Sequence, residues 1–317
     1  MLINDRIYGD FEVTEPILIE LIESVAVQRL KGIAQFGMPD YLFDRDGFSR
    51  YDHCVGVMVL LRKFGASVEE QVAGLLHDVS HTAFSHVIDF VVEYQKSEDF
   101  QDRNHEAYIL RTEIPAILER NGMTVTQVTD YHQHSLLEQD APALCGDRID
   151  YSLRELPNSI TDLCVTGLAV HGGRFVFTSI EVALLFGNEY LRLQAERWGG
   201  YEVGTRYDAL SRILKQALKI DVISMDDFWE DDAFVLAKLA TSKDDFIVRG
   251  IEFLRNRNLS GAPKAPRSTV KKFRWIDPDV LIEGKITKLS ELSMDYADAL
   301  AAGREENGKG VEIGRFE

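Results

Sequence analysis

Residues 75–86 read LLHDVSHTAFSH, the most informative stretch of the chain. It continues an apolar run, residues 72–76, whose pattern predicts a buried helix that opens at Ser67. Three histidines and an aspartate follow that run directly. Burying titratable side chains costs free energy unless a metal ion or hydrogen bonds compensate. The stretch therefore predicts a helical core with a polar site where one helix ends.

Histidine is concentrated in one part of the chain, since five of the eight histidines lie between residues 53 and 105. Imidazole nitrogens and carboxylate oxygens form a ligand set suited to Fe, Mn, Co, Ni, Zn or Mg, with no thiolate required. His77 and Asp78 are neighbours whose side chains diverge by about 100° on a helix. A short Asp and a long His still converge on an ion placed between them. The cluster predicts a site for one divalent metal ion.

Each member of the cluster also has a simpler explanation. His86 alone is compatible with a hydrogen-bonded core histidine, and Asp89 with a charge on a helix surface. Asp147 alone fits the N-cap of a helix. The combination favours metal binding, because a purely structural helical module would leave the histidine cluster unexplained.

The charge balance narrows the range of partners. The 317 residues include 35 Lys and Arg against 52 Asp and Glu, a formal net charge of −17. So acidic a chain gains little from the counterion release that drives nucleic-acid binding, and anionic membrane surfaces repel it. A nucleotide or another phosphate ester still binds where a metal or a local cluster of cations receives it.

The cysteines indicate a reducing compartment. There are three, Cys54, Cys145 and Cys164, with no CxxC pair, so a disulfide framework is not expected. The first residues lack the pattern of a signal peptide, and no stretch approaches the ~18 consecutive apolar residues of a membrane span. The sequence predicts a cytoplasmic protein without a membrane segment, and a homo-oligomer is compatible with it.

Periodicity predicts a mainly α fold. Helices are expected in the first half of the chain over residues 17–22, 50–64, 67–78, 84–95, 103–121 and 147–155. The earliest strand signal is a hairpin, 168–171 and 174–177, turning at Gly172-Gly173. Further helices are expected over residues 179–197, 206–219 and 244–256.

The texture of the chain suggests three parts. Residues 1–160 are predicted to be the helical core that binds the metal, and residues 161–262 a helical extension with the β-hairpin, packed on that core. Residues 263–317 are predicted to be a C-terminal appendage with short strands, among them a strand from Thr269 to Trp275. Its end, from Gly303, is rich in Gly and charge and is expected to be mobile.

Four segments together resemble a known family. They are RYDHCVGV at residues 50–57, LLHDVSHTAFSH at 75–86, NHE at 104–106 and DRIDYSLRE at 147–155. Their order and spacing resemble those of the HD-domain metal-dependent phosphohydrolases. The nearest resemblance is to the deoxynucleoside triphosphate triphosphohydrolases, including the enzymes that join a sterile-alpha-motif domain to an HD domain. It extends over about residues 5–190 and implies an HD-domain helical core.

The resemblance implies roles for the residues around the metal. The implied ligands are His53, His77, Asp78 and Asp147, which would hold an ion that binds a phosphate oxygen and lowers the pKa of a water. His105 resembles the general acid for the leaving oxygen, and Asp89 the residue that orients it. His81 and His86 would contact the phosphates and the charge that builds in the transition state.

The resemblance also implies substrate-binding residues. Arg50 and Arg148 resemble phosphate-binding cations. Gln35 resembles a glutamine that contacts the sugar, and Tyr151 a residue that packs on it. Many relatives carry a Tyr-x-His-Lys segment that helps to bind the β- and γ-phosphates. The corresponding residues 200–207 offer Arg206 as their cation.

The implied activity is hydrolysis of a nucleotide, with a deoxynucleoside triphosphate cut at the α-phosphate to give nucleoside and triphosphate. Two alternatives stay open, because Phe36, Glu155 and the segment 200–207 depart from the family pattern. One is a nucleotide monophosphatase or phosphodiesterase that uses the same site. The other is a catalytically weak nucleotide-binding protein.

Overall fold

The computed structural model describes residues 1–43, 47–94, 97–269 and 271–316, with the side chains of Asp40 and 266–269 left aside. Within these ranges the chain forms sixteen α-helices and eight short strands, which confirms the mainly α prediction. The helices are α1 Pro16–Glu23, α2 Val25–Arg29, α3 Arg50–Lys63, α4 Val68–Leu76, α5 Val87–Val91, α6 Phe100–Ile109, α7 Ile114–Arg120, α8 Val125–Thr129, α9 Gly146–Leu153, α10 Asn158–Gly167, α11 Ile180–Leu193, α12 Tyr201–Lys219, α13 Asp232–Ala240, α14 Asp245–Arg255, α15 Leu289–Leu292 and α16 Met294–Lys309.

The strands lie outside the helical core. They are β1 Leu2–Asp5, β2 Gly9–Glu12, β3 Leu168–His171, β4 Arg174–Phe177, β5 Lys264–Thr269, β6 Asp279–Ile282, β7 Lys285–Lys288 and β8 Val311–Gly314. They form a β1–β2 hairpin, a four-stranded sheet in the order β3-β4-β6-β7, and a β5–β8 pair. The predicted hairpin at Gly172-Gly173 is confirmed, with Leu168 opposite Phe177.

Helices α3, α4 and α9 build the part of the core that carries the site. Helix α3 begins at a capping box in which Ser49 and Asp52 satisfy each other's backbone amides, and from His53 to Leu61 it is buried throughout. It packs along α4 and α9. All three helices therefore hold polar side chains inside an apolar core, where their positions are fixed by packing.

The HD-containing segment is a shaped loop rather than a continued helix. Helix α4 stops at Leu76, and the next helix starts only at Val87, later than predicted. Phe84 and Ser85 adopt left-handed backbone angles, with φ of 62° and 47°. This conformation costs free energy for residues other than glycine, and it persists only where contacts with the surrounding structure hold the backbone in it.

Distant residues provide that enforcement. Arg29 donates to the carbonyls of Val79 and His81 at 2.9 and 2.7 Å. Asp232 accepts from the amide of Phe84 at 2.7 Å. The segment between α4 and α5 is thus clamped from two sides.

Both ends of the chain differ from the sequence-based expectation. Residues 2–12 form the β1–β2 hairpin, which their polar composition, with Asn4, Asp5 and Asp10, did not indicate. The strand expected from Thr269 to Trp275 is wrong, because β5 ends at Thr269 and the chain has no regular structure from Lys271 to Trp275; Val270 lies outside the described residues.

The end expected to be mobile forms the last turns of α16 and the strand β8, which pairs with β5. Ile313 and Phe316 are buried, and Phe316 packs on Phe246 and Phe253, so apolar contacts hold the tail in place. One hydrophobic cluster extends from Ile7 to Tyr296, so the three-part division of the chain stays a prediction.

No helix in the described ranges has the length and apolar character needed to cross a membrane. The three cysteines are buried and free.

Candidate active site

His53 lies on α3 with both ring nitrogens engaged. Its Nδ1 atom is 2.8 Å from Oδ1 of Asp150, a fully buried carboxylate on α9. Its Nε2 atom is 3.0 Å from Oδ1 of Asp147. Because a carboxylate on Nδ1 fixes the proton on that nitrogen, Nε2 presents a lone pair to its surroundings.

His77 follows α4 and points its ring at His53. Its Nδ1 atom is 2.7 Å from the carbonyl oxygen of Gly74, so that nitrogen carries the proton. Its Nε2 atom lies 3.2 Å from Nε2 of His53. Two imidazole lone pairs facing each other at this distance repel unless a cation lies beside both. The pair of rings is therefore arranged for a shared positive charge.

Two carboxylates complete the centre. Oδ1 of Asp147 lies 3.0 and 3.6 Å from the Nε2 atoms of His53 and His77, and Oδ2 of Asp78 lies 3.7 Å from both. Ligands with metal bonds of about 2.0–2.2 Å stand roughly 3–4 Å apart, so His53, His77 and Asp147 come close enough to share one ion, and the part of Asp78 as a fourth ligand stays a prediction. A divalent metal centre is confirmed as a property of this cluster, and the identity of the metal stays open among Fe, Mn, Co, Ni, Zn and Mg.

The electrostatics keep the carboxylates ready for a cation. Burial alone would raise the pKa of Asp78, but the charges of Arg50, His77 and His81 outweigh it and hold that pKa well below its ordinary value. For Asp147, the neighbouring rings of His53 and His77 likewise outweigh burial and lower the pKa far below its usual range. Arg50 also donates directly to Asp78, which fixes the carboxylate. Both acids are ionised at neutral pH.

A second group of metal-type side chains lies beside the first. Glu138, Cys145 and Asp147 come close enough to share an ion. The guanidinium of Arg148, however, donates to Glu138 and Cys145, both at 3.0 Å. A cation already occupies that position, so we assign no second metal to it.

His81 and His86 follow the metal ligands in the clamped loop. Nε2 of His81 donates to Oδ1 of Asp78 at 3.2 Å, and burial holds the pKa of His81 well below its ordinary value. The rings of His81 and His86 meet edge to face with centroids 5.0 Å apart. Both line the pocket in front of the metal centre, and their contact with phosphates stays a prediction.

Asp89 corrects one predicted pairing. Its Oδ2 atom is 3.2 Å from Nδ1 of His86, and its Oδ1 atom accepts from the amide of Phe100 at 3.0 Å. Asp89 therefore orients His86, not His105. The reason is local, because residues three apart at the start of α5 face each other, whereas His105 lies on α6.

His105 is held by two hydroxyl groups. Ser80 Oγ lies 2.8 Å from its Nδ1 atom, and the Tyr131 hydroxyl lies 2.7 Å from its Nε2 atom. Burial and the charge of His77 lower the pKa of His105 to about 4. His105 also lines the pocket. Its part in proton transfer stays a prediction.

The pocket in front of the metal centre has a volume of about 720 Å³. Gln35 lines it, and the buried Oε1 atom of Gln35 has no hydrogen-bond partner in the described part of the chain. Tyr151 lines it too, with its hydroxyl bonded to Tyr190 and its ring edge-on to Trp198. An amide without a partner and a fixed aromatic ring are features of a site for a sugar or a base.

Two of the three arginines predicted to bind phosphate line the pocket, and the third does not. Arg50 and Arg148 both line the pocket. Arg206 does not, and its assignment to the substrate is wrong. Its side chain is fully buried on α12 and donates to Glu202 and to the carbonyls of Leu42, Leu254 and Asn256. Periodicity places Arg206 on a helix but does not reveal that carbonyls from two other segments surround it.

The sequence-based prediction missed cations that come from the C-terminal part. Lys271, Lys272 and Arg274 line the same pocket as the metal ligands. Arg274 forms a 2.6 Å ion pair with the buried Glu98. The run KKFRW at residues 271–275 was a visible signal, because a basic cluster is unusual in so acidic a chain.

The fold and this centre define a class, a helical hydrolase with a metal held by histidines and aspartates. The sequence model of the HD domain matches residues 50–164. The chain is 37% identical to YdhJ of Bacillus subtilis, over 99% of this chain and 98% of that protein. It is 30% identical to the metal-dependent phosphohydrolase cns2 of Cordyceps militaris, over 90% of this chain and 86% of that one. The chain belongs to the HD-domain family of metal-dependent phosphohydrolases.

Other similarities are more limited. The deoxynucleoside triphosphate triphosphohydrolase SAMHD1 of Homo sapiens is 34% identical over 28% of this chain and 16% of its own. A crystal structure of a phosphohydrolase from Bacteroides thetaiotaomicron superposes with a TM-score of 0.66 at 17% identity, over 92% of this chain and 94% of the other. A protein from Aquifex aeolicus gives 0.69 at 20% identity, over 96% and 99%. These two structures share the fold.

Proposed function

We propose that this metal-dependent phosphohydrolase acts on a nucleotide and cuts a deoxynucleoside triphosphate at the α-phosphate, releasing nucleoside and triphosphate. One observation carries the proposal. His77, Asp78 and Asp147 share a single pocket with an amide and an aromatic ring suited to a nucleoside, Gln35 and Tyr151. The partial similarity to SAMHD1 supports the same substrate class.

The side chains nearest the metal would receive the phosphate. Arg50 is rigid, since its Nη1 atom donates to Asp78 and its Nε atom donates to Ser85 at 3.0 Å. His81, neutral at physiological pH, gives its one N–H to Asp78 and would line the phosphate site without adding charge. When bound, the metal ion supplies Lewis acidity to a phosphate oxygen and lowers the pKa of a water. His53, His77, Asp78 and Asp147 would hold it.

Proton transfer to the leaving oxygen has two candidate donors. The family resemblance implies His105, whose ring nitrogens are both engaged and whose pKa of about 4 leaves it neutral at pH 7. His86 has a carboxylate on Nδ1, the arrangement that orients a histidine ring, and its Nε2 atom is the nitrogen available to a ligand. We favour His86 as the donor, with Asp89 as its positioning residue.

A second function has an observation in its favour. Arg148 forms a 3.0 Å ion pair with Glu138, so part of the positive charge of Arg148 is already compensated by an internal partner. A site with less free positive charge suits a substrate with one phosphate, such as a nucleoside monophosphate or a phosphodiester. A catalytically weak nucleotide-binding protein is disfavoured, because the metal centre and the histidines around it are complete.

The test is a product analysis. Purified protein is loaded separately with Mn, Mg, Co, Ni and Zn and incubated with nucleoside mono-, di- and triphosphates. Intact triphosphate released from a deoxynucleoside triphosphate supports the proposal. Orthophosphate from monophosphates, with triphosphates untouched, overturns it and supports the second function.

Two further expectations accompany the proposal. The buried, unpaired cysteines support a cytoplasmic location, which fractionation of the source cells tests. Homo-oligomer formation is tested by light scattering on the purified protein.

A further inference from the structure

Four cations from the second half of the chain line the pocket, although the chain has a net charge of −17. Lys271, Lys272 and Arg274 come from the segment after β5, and Arg197 comes from the helical turn Gln194–Trp198 after α11. Together they form what we call the basic wall. The lining also includes acidic side chains, among them Glu98, Asp102 and Glu138, so these cations are the part of it that would attract an anionic ligand.

We propose that the basic wall binds the phosphates that lie beyond the one at the metal centre, so that the substrate is a nucleotide carrying two or three phosphates. This inference rests on the proposed function, because it assigns a subsite to the same substrate. The wall would take the place of the cation that the sequence assigned to Arg206.

A buried carboxylate holds two members of the wall in position. Glu98 accepts from Arg274 at 2.6 Å, and its side chain has no exposure to solvent. Burial alone would raise the pKa of Glu98, yet the charges of Arg274, Lys271 and His86 lower it to about 2. Lys271 also sits over the ring of Tyr207, with Nζ 3.7 Å from the ring centroid. These two cations are therefore fixed before any ligand arrives.

The basic wall lies in the same pocket as the groups proposed to act on the substrate. Arg274 and Lys271 line that pocket together with His86 and Tyr151. The charge of Arg274 also reaches Tyr151, where it opposes the effect of burial, which raises the pKa of that phenol. The wall thus lies within electrostatic reach of both the proposed proton donor and the proposed sugar site.

The backbone of the segment is anchored as well. The amide of Arg274 donates to Gln194 Oε1 at 3.2 Å, and Asn307 donates to the carbonyl of Lys271 at 3.0 Å. Gln194 in turn donates to Asn307 at 3.0 Å. The irregular segment 271–275 is therefore held by α16 and by the turn after α11.

The remaining two cations distinguish a ligand site from an internal ion cluster. Lys272 and Arg197 have exposed side chains on the pocket, and neither forms an ion pair with any residue that the structure describes. Internal packing does not require them there. They are also the safe positions to mutate, because replacing an exposed, unpaired side chain leaves the fold intact.

The binding experiment needs no turnover. Inorganic triphosphate and orthophosphate are titrated by calorimetry into metal-loaded protein freed of excess metal, for wild type, Lys272→Ala, Arg197→Ala and the double variant. We expect triphosphate to bind roughly 5-fold more weakly in each single variant and roughly 25-fold more weakly in the double variant, with orthophosphate nearly unchanged. The matched control is Lys219→Ala/Lys285→Ala, which removes the same charge from exposed positions away from the pocket.

If the double variant of the basic wall and the control double variant bind triphosphate with equal affinity, the proposal that the basic wall binds phosphates is refuted. Kinetics then separate it from the proposed function. If nucleoside triphosphates are hydrolysed with the same KM in the wild type and in the double variant of the basic wall, the proposed function is supported and phosphate binding by the basic wall is refuted. If no nucleotide is hydrolysed but triphosphate binding still depends on Lys272 and Arg197, phosphate binding by the basic wall is supported and the proposed function is refuted.

Discussion

The Nδ1 atom of His53 and the Oδ1 atom of Asp150 lie 2.8 Å apart, and this contact ties a metal ligand to the first strand of the chain. Asp150 accepts from Arg154 Nε at 2.7 Å, and Arg154 donates in turn to Asp5 at 2.6 Å. All four side chains are buried. The β1–β2 hairpin thereby contributes to the orientation of His53 through two ionic contacts.

Asp150→Asn should weaken metal binding without removing a ligand. The amide cannot stabilise the Nδ1 proton of His53 as a carboxylate does, so we expect a loss of about 10- to 100-fold in metal affinity. The affinity is measured by competition with a chelator of known strength. Asp5→Asn, one step further from the ligand, should have a smaller effect, and equal losses in the two variants would contradict the proposed order of the contacts.

Gly56 leaves room for the same network. A Cβ atom on Gly56 would lie 1.8 Å from Nη2 of Arg154 and 2.3 Å from Oδ2 of Asp150. Gly56→Ala should therefore lower the free energy of unfolding by about 1–3 kcal/mol and weaken metal binding as well. The control is Gly303→Ala on α16, where the nearest atom is 3.7 Å away and a gain of up to about 1 kcal/mol is expected. Urea unfolding measures both, and an unchanged Gly56→Ala protein would contradict the expectation.

The metal ligands should be separable from the proton donor. His77→Ala and Asp147→Ala should lose bound metal and activity together, because each removes a donor from the centre. Elemental analysis of the purified variants measures the metal. Treatment of the wild type with a chelator should also lower its thermal midpoint, since an ion at 100 times its Kd stabilises the folded state by about 2.7 kcal/mol. Full metal occupancy in both variants would refute the ligand assignment.

His86 and His105 should differ in their effect on turnover. If His86 is the proton donor, His86→Ala should keep its metal and lose about 10²–10⁴-fold in kcat. Asp89→Asn should lose less, because the amide oxygen can still accept a hydrogen bond from Nδ1 of His86 and keep part of the orientation of that ring. A larger loss in His105→Ala, with metal retained, would return the role to His105.

The stability of the protein should depend on Glu98 below pH 5. The pKa of Glu98 is about 2 in the folded protein against an ordinary value of 4.5, so its contribution is present above pH 4.5 and is lost as the pH falls towards 2. A shift of this size corresponds to about 3 kcal/mol. Urea unfolding measures the free energy of unfolding at pH 6 and at pH 3. The decrease between the two pH values should be smaller in Glu98→Gln than in the wild type. An identical pH dependence in both proteins would contradict it.

The metal centre was predictable from the sequence because its His and Asp side chains belong to short motifs, and these residue types are the ones that bind divalent metals. His53, His77, Asp78 and Asp147 each lie in such a motif, and helices position them. The partner of Asp89 was not predictable, because the choice between His86 and His105 depends on where α5 begins. That start is set by the loop clamped by Arg29 and Asp232.

Long-range packing decided the other failures. Arg206 is a cation on a predicted helix, but its side chain donates to the backbone carbonyls of Leu42, Leu254 and Asn256, which lie in other parts of the chain. Lys271 to Arg274 lie more than a hundred residues after Asp147, the last metal ligand, and only the tertiary fold brings them to the pocket. The N-terminal hairpin was missed because its strands are short and polar, so they lack the alternation that marks a half-buried strand.

The pairing of β5 with β8 also sets an order of assembly during synthesis. All four metal ligands have been translated by residue 147, whereas the strand that closes the β5–β8 pair ends at Gly314. A nascent chain leaving the ribosome thus holds the parts of its metal centre long before β8 exists to fix the segment that follows β5. We expect ribosome-bound chains stalled near residue 260 to take up metal yet to hydrolyse nucleoside triphosphates poorly, because β8 does not yet hold the segment that follows β5.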